Sequence, residues 1–313
     1  MQMEIQTENL GVSYGDTVVW KDINLHFNEP GLISILGPNG VGKSTFMYTI
    51  NRILEPTEGR VLIDGVDVQD MSYKDIAKRI AYVPQASGET FAMTVMDTVL
   101  MGRYPHTGYA TTREDKEIAA KSLRMMNMSE YALQYFNELS AGQHQRVMIA
   151  RGLTQMPDLL MLDEPTANLD IYHQIYTMRL LRDIAHERGI MVLTICHDLN
   201  IASRFSDRIV IFSKGVVRAD GTPQETITKE IISEVYNVDA DIQDVEGRPY
   251  VVFHAKDMDM DDPDSAEYIK MMSYGSGNAR DECIETNGTI VAPEPEEKKK
   301  GRKGKKKDKE SEE

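Results

Sequence analysis

Gly37-Pro38-Asn39-Gly40-Val41-Gly42-Lys43-Ser44 fits the phosphate-loop pattern G-x-x-x-x-G-K-[ST]. Its flanks meet the physical needs of that loop. Before it, Leu32-Ile33-Ser34-Ile35-Leu36 is a short, almost continuous apolar run, the mark of a strand buried on both faces. After it, Phe46, Met47, Ile50 and Ile53 recur at three- and four-residue spacing, which predicts a helix. Glycines let backbone N–H groups converge on phosphate oxygens, and the helix start adds its positive end. Lys43 would then reach the β- and γ-phosphates. The Ser44 hydroxyl would ligate Mg²⁺, and Thr45 would donate to the α-phosphate.

Outward from this loop the pattern is that of a layered α/β protein. Residues 3–27 read as two or three strands with a turn at Ser13-Tyr14-Gly15-Asp16, and residues 60–70 as a hairpin around Asp64-Gly65. Residues 158–163, 190–196 and 208–213 are further buried-strand runs with helical segments between them, which implies a mostly parallel sheet with helices on its faces. From about 87 to 155 the pattern turns helical, and Thr112 with Asp115 forms a capping box for a helix through Met126. A helix through Tyr236 and a hairpin around Gly247-Arg248-Pro249 close the folded part. The expected fold is an α/β P-loop NTPase core with an N-terminal antiparallel β-subdomain and an inserted α-helical subdomain. Residues 1–255 form the nucleotide-binding domain, residues 256–292 an acidic, poorly ordered extension, and residues 293–313 a disordered Lys-rich tail.

Leu159-Leu160-Met161-Leu162-Asp163-Glu164 is an apolar strand ending in two carboxylates. Asp163 would hold Mg²⁺, and Glu164 would polarise the attacking water as general base. Adjacent parallel strands would deliver these carboxylates and the phosphate loop to one sheet edge, where such sheets bind ligands.

Leu139-Ser140-Ala141-Gly142-Gln143 precedes a helix from His144 to Leu153. Ser140 is a helix N-cap, and a free helix N-terminus favours an anion. Here the sequence resembles the ATP-binding cassette (ABC) ATPases, whose signature is Leu-Ser-Gly-Gly-Gln; Ala141 stands in the first glycine position, so no glycine-only backbone angles are needed there. The resemblance spans about residues 3–255 and assigns further roles. Tyr14 resembles the aromatic that stacks on adenine, and Gln85 the glutamine that senses Mg²⁺ and the attacking water. Ala167-Asn168-Leu169-Asp170 resembles the loop that crosses the dimer interface, and His197 the switch histidine on the γ-phosphate. The implied cofactors are ATP and Mg²⁺. The implied assembly is a homodimer in which Ser140, Gly142 and Gln143 of one chain complete the site of the other.

Composition narrows the setting. The longest apolar runs are strand length, well short of the ~20 residues of a membrane helix, and the start of the chain carries no signal core. We therefore expect a peripheral protein at the cytoplasmic face of the membrane, with the pore supplied by separate integral membrane permease subunits. Two cysteines, Cys196 and Cys283, without a Cys/His cluster argue against zinc and disulfides. A net charge of −15 argues against nucleic acid as partner. Soluble cassette ATPases of DNA repair or translation are the alternative. Repair members carry long coiled coils between phosphate loop and signature, and translation members carry two cassettes per chain; neither feature occurs here.

Val99-Leu100-Met101-Gly102-Arg103-Tyr104-Pro105-His106 resembles the segment after the glutamine loop in importers of iron–siderophore, haem and cobalamin, which also use an extracellular substrate-binding protein. The same segment also reads as a helix end, with Gly102 as C-cap and Pro105 beyond it. Of the 19 methionines, Met125, Met126, Met128 and Met148 fall at core spacing.

Overall fold

The computed structural model describes residues 3–85, 92–107, 110–167 and 169–254. The chain opens with β1 (Ile5–Tyr14), β2 (Thr17–Ile23), β3 (His26–Phe27) and β4 (Gly31–Leu36). Then follow α1 (Lys43–Ile50), β5 (Glu58–Ile63), β6 (Val66–Asp67), α2 (Tyr73–Arg79) and β7 (Ile80–Val83). A helical stretch carries α3 (Val95–Leu100), α4 (Arg113–Met125) and α5 (Ala141–Thr154). Strand and helix alternate again through β8 (Leu159–Leu162), α6 (Ile171–Arg188), β9 (Met191–Ile195), α7 (Leu199–Phe205), β10 (Arg208–Ser213) and β11 (Val216–Gly221). The described chain ends with α8 (Pro223–Thr226), α9 (Lys229–Tyr236), β12 (Asp239–Val245) and β13 (Arg248–His254).

The central sheet runs β11-β10-β4-β9-β8-β7. Every pair is parallel except β10 with β11. Alternate residues of its buried strands serve two cores, as the strand period of two dictates. Ile33, Ile35, Met161, Leu193 and Phe212 pack with α1 and the antiparallel strands. Leu32, Leu36, Leu162, Val192 and Ile211 pack under α3 to α7 and α9. The antiparallel sheet, ordered β2-β1-β5-β6 with β3 on β1, covers the first core. Its β5–β6 hairpin turns on Asp64 and Gly65, both at positive φ, as a two-residue turn between twisted strands requires.

Several expectations change. The phosphate-loop strand β4 and the carboxylate strand β8 are not adjacent: β9 lies between them, because sequence order says nothing about which strand fills the middle of a sheet. The helix after the loop stops at Ile50, and Ile53 lies beyond it, exposed. The helix through Tyr236 is α9, and a separate one-turn helix, α8, precedes it. Strands β7 and β11 carry no strand signal in the sequence. β7 has four residues directly after a helix, too few to show a period. β11 is an edge strand with no continuous apolar run. Gly102 is not a C-cap. It sits in a 3-10 turn at negative φ, where an added Cβ would lie 2.2 Å from the backbone oxygen of Arg151. Its smallness serves close approach to α5. The 256–292 extension and the 293–313 tail lie outside the described residues, as do Asn168 and Cys283.

Candidate active site

The carboxyl ends of four neighbouring strands converge on one edge of the sheet. From β4 comes the loop Gly37–Ser44, from β9 His197, from β8 Asp163 and Glu164, and from β7 Gln85. Gly37 at φ 141 and Gly42 at φ 92 adopt backbone angles that favour glycine. An added Cβ at Gly37 would meet the carbonyl oxygen of Phe212 at 2.3 Å, and one at Gly42 would meet the buried Trp20 ring at 2.7 Å. The Trp20 indole N–H donates to the Gly42 carbonyl, fastening the loop to β2. No side chain caps α1, so its first N–H groups are left for a ligand.

Lys43 is buried, and its ammonium donates to the carbonyls of Gly37 and Pro38 at 2.8 Å each. Burial lowers its pKa, with Glu164 and Asp163 opposing that shift. Asn39 and Gly40 are exposed at the loop tip, Val41 packs against the first core, and Thr45 follows Ser44 in α1. Ser44 Oγ donates to Oδ1 of Asp163 at 3.3 Å, and the Tyr82 hydroxyl donates to Oδ2 at 3.2 Å. Burial raises the pKa of Asp163, against the lowering effect of these two hydrogen bonds.

Ser44 and Asp163 fit a magnesium ion. Hydroxyl and carboxylate are hard oxygen donors, and the buried carboxylate gains from a cation beside it. Among the described residues no group of three or more His, Cys, Asp or Glu could hold a metal.

Glu164 stands just past β8 at φ 49, a strained conformation for a non-glycine residue. Its Oε2 accepts from the Gln85 amide at 2.9 Å, and its Oε1 lies 2.5 Å from Nε2 of His197. Glu164, read as general base from its place at the strand end, thus contacts both Gln85 and His197, the two residues the resemblance linked to the attacking water and the γ-phosphate. Tyr14 ends β1, paired with Thr17, and is half-exposed.

Ser140, Gly142, Gln143 and Asp170 form a second group. Ser140 caps α5 in a reciprocal box with Gln143, and Ala141 begins the helix with ordinary helical geometry. Asp170 caps α6 by accepting from the His173 backbone, and its carboxylate also meets the His173 ring at 2.8 Å. An added Cβ at Gly142 would touch that ring at 3.4 Å. Among the described residues no hydrogen bond or ion pair joins this group to the phosphate loop.

The segment at 99–106 is anchored from beneath. Arg103 is buried; it pairs with Asp115 at 2.8 Å and donates to the Thr154 carbonyl. His106 contacts the Gln155 carbonyl, and the Gln155 amide donates to the carbonyls of Ala77 and Ile80. Tyr104, between the two anchors, is exposed. Two contributors escaped the sequence reading: Tyr82, whose only signal was its place three residues before Gln85, and His173, which has no motif.

The profile of the ABC transporter family matches residues 20–167. The chain is 41% identical over 250 residues to an uncharacterised ABC transporter ATP-binding protein of Methanocaldococcus jannaschii, covering 80% of this chain and 98% of the relative. It is 40% identical over 240 residues to the iron(3+)-hydroxamate import ATP-binding protein FhuC of Bacillus subtilis, covering 76% of this chain and 89% of that protein. Its fold matches the dimeric structure of a bacterial ABC transporter cassette at a TM-score of 0.62 and 31% identity, over 70% of this chain and 98% of the cassette. Among the described residues no helix is long and apolar enough to cross a membrane. With a phosphate loop, paired carboxylates and a capped signature helix on a parallel sheet, and relatives that align over nearly their whole length, this chain belongs to the ABC transporter family and is one of its ATP-binding ATPases.

Proposed function

We propose that this chain is the ATP-hydrolysing subunit of an importer that takes up an iron–siderophore complex, haem or cobalamin. It works as a homodimer at the cytoplasmic face of the membrane, beneath separate permease subunits. An extracellular binding protein delivers the substrate to those subunits.

One observation carries the hydrolytic part: Glu164 is held between Gln85 and His197, beside the Lys43-Ser44-Asp163 row. Phosphates entering the loop replace the Gly37 and Pro38 carbonyls as partners of Lys43. Ser44 and Asp163 would hold Mg²⁺, which would supply neutralisation of the charge developing on the phosphates. Glu164 takes the proton of the attacking water, Gln85 orients that water, and His197 donates to the γ-phosphate. Tyr14 stacks on the base. Ser140, Gly142 and Gln143 act on nucleotide held by the second chain, with Asp170 at the crossing, as the family resemblance implies; among the described residues no hydrogen bond joins them to the phosphate loop of their own chain. Closure around two nucleotides and reopening after hydrolysis drive the permease through conformation.

The importer part rests on the 99–106 segment and on likeness to an iron(3+)-hydroxamate import protein. Deleting the chain should abolish uptake of one labelled chelate or cobalamin and spare sugars and amino acids. Purification from native membranes should bring down a polytopic partner. Recovery only with ribosomes or DNA overturns the importer reading and favours a soluble cassette ATPase; loss of sugar or amino-acid uptake instead reassigns the substrate.

A further inference from the structure

Along β7 the side chains alternate between the two cores. Ala81 and Val83 join the core under the helices, whereas Ile80 and Tyr82 face the core around α1. Ser44 and Tyr48 are one turn apart on α1 and so share a face of that helix. On that face the Tyr48 and Tyr82 rings pack edge-on, with centroids 5.8 Å apart at 80°. The ring of Tyr82 is thereby wedged, and its hydroxyl meets Oδ2 of Asp163 at 3.2 Å while Ser44 takes Oδ1.

The two hydroxyls are not equivalent. Ser44 is itself a ligand candidate: an oxygen lone pair would face the ion while its single proton goes to Asp163. Tyr82 lies on a strand, packed by the Tyr48 ring, and is not itself a ligand candidate. A carboxylate bound at one oxygen by a fixed donor loses rotational freedom before its ligand arrives, and outer partners of this kind tune metal affinity.

We propose that Tyr82 is a positioning residue of the magnesium–nucleotide site, pinning one oxygen of Asp163 and leaving the other for the ion. The inference rests on the assignment of Ser44 and Asp163 to magnesium.

The test is equilibrium binding of a fluorescent ATP analogue to the purified chain, in EDTA and across a Mg²⁺ titration. Wild type, Tyr82→Phe and Asp163→Asn are compared, with thermal unfolding of each. Tyr82→Phe keeps the ring and loses only the hydroxyl. It should unfold near the wild-type temperature, bind the analogue in EDTA as wild type does, and need about 10-fold more Mg²⁺ for half-maximal effect. An unshifted Mg²⁺ midpoint in Tyr82→Phe, with a displaced one in Asp163→Asn, overturns the role of Tyr82 alone. An equal loss of affinity with and without Mg²⁺ makes Tyr82 a general support of the site and also overturns it. If Asp163→Asn titrates like wild type, the magnesium assignment falls, and this inference with it.

Discussion

Oε1 of Glu164 lies 2.5 Å from Nε2 of His197, although the two residues follow different strands and are separated by a whole helix in sequence. The contact exists because β8 and β9 are direct neighbours ending at the same level, with Leu162 opposite Thr194. A carboxylate held this way is placed before substrate arrives.

Glu164→Gln should therefore bind ATP as wild type does but hydrolyse it about 10²–10⁴-fold more slowly, the usual worth of a positioned base. Gel filtration with ATP should show a persistent dimer, since closure no longer leads to hydrolysis. Wild-type turnover in this variant would remove Glu164 from the chemistry.

Lys43→Ala should weaken nucleotide binding about 10- to 100-fold, as expected for lost charge-assisted hydrogen bonds. Mixed with Ser140→Arg chains it tests the shared site. The mixed dimer has one site with both lesions and one with neither, so activity should return to at most about a quarter of wild type. A mixture as inactive as either parent would argue that each chain hydrolyses alone.

The Arg103–Asp115 pair ties the 99–106 segment to α4 and, through Thr154, to α5. Arg103→Met leaves Asp115 buried with Thr112 alone and should cost on the order of 3 kcal/mol in denaturant unfolding. Hydrogen bonds from Thr112 and then Arg103 hold the Asp115 carboxyl down at about 2. Its contribution is therefore full above the ordinary carboxylate range of about 4 and is lost as pH falls towards 2. Wild type should lose more stability across that window than Asp115→Asn. Parallel pH profiles would contradict the assignment.

Asp163 has the opposite sign. Burial raises its pKa, so its charged form opposes folding at neutral pH when no nucleotide is present. Asp163→Asn should melt higher than wild type at pH 7, with the gap closing as pH falls through the carboxylate range, and it should lose stabilisation by Mg²⁺–ATP. A lower melting temperature at pH 7 would show that the Ser44 and Tyr82 hydrogen bonds outweigh burial.

The chemistry of this chain was legible in sequence because each motif is local. A phosphate loop needs its glycines, lysine and serine in eight consecutive residues, since consecutive backbone N–H groups form the cradle. The buried runs before Gly37 and Asp163 were equally plain, because a strand covered on both faces must be apolar throughout. The N-caps at Thr112 and Ser140 also lie within single turns.

Tertiary structure decided what depends on neighbours distant in sequence. It placed β9 between β4 and β8, which sets His197 against Glu164 and lets Ser44 reach Asp163 across the intervening strand. It showed that Gly102 serves packing against Arg151 rather than ending a helix. It turned Tyr82, an unremarked aromatic in a four-residue strand, into a partner of Asp163. Strand order and cross-strand contact follow from how two apolar faces are covered together, and no window of sequence contains both faces.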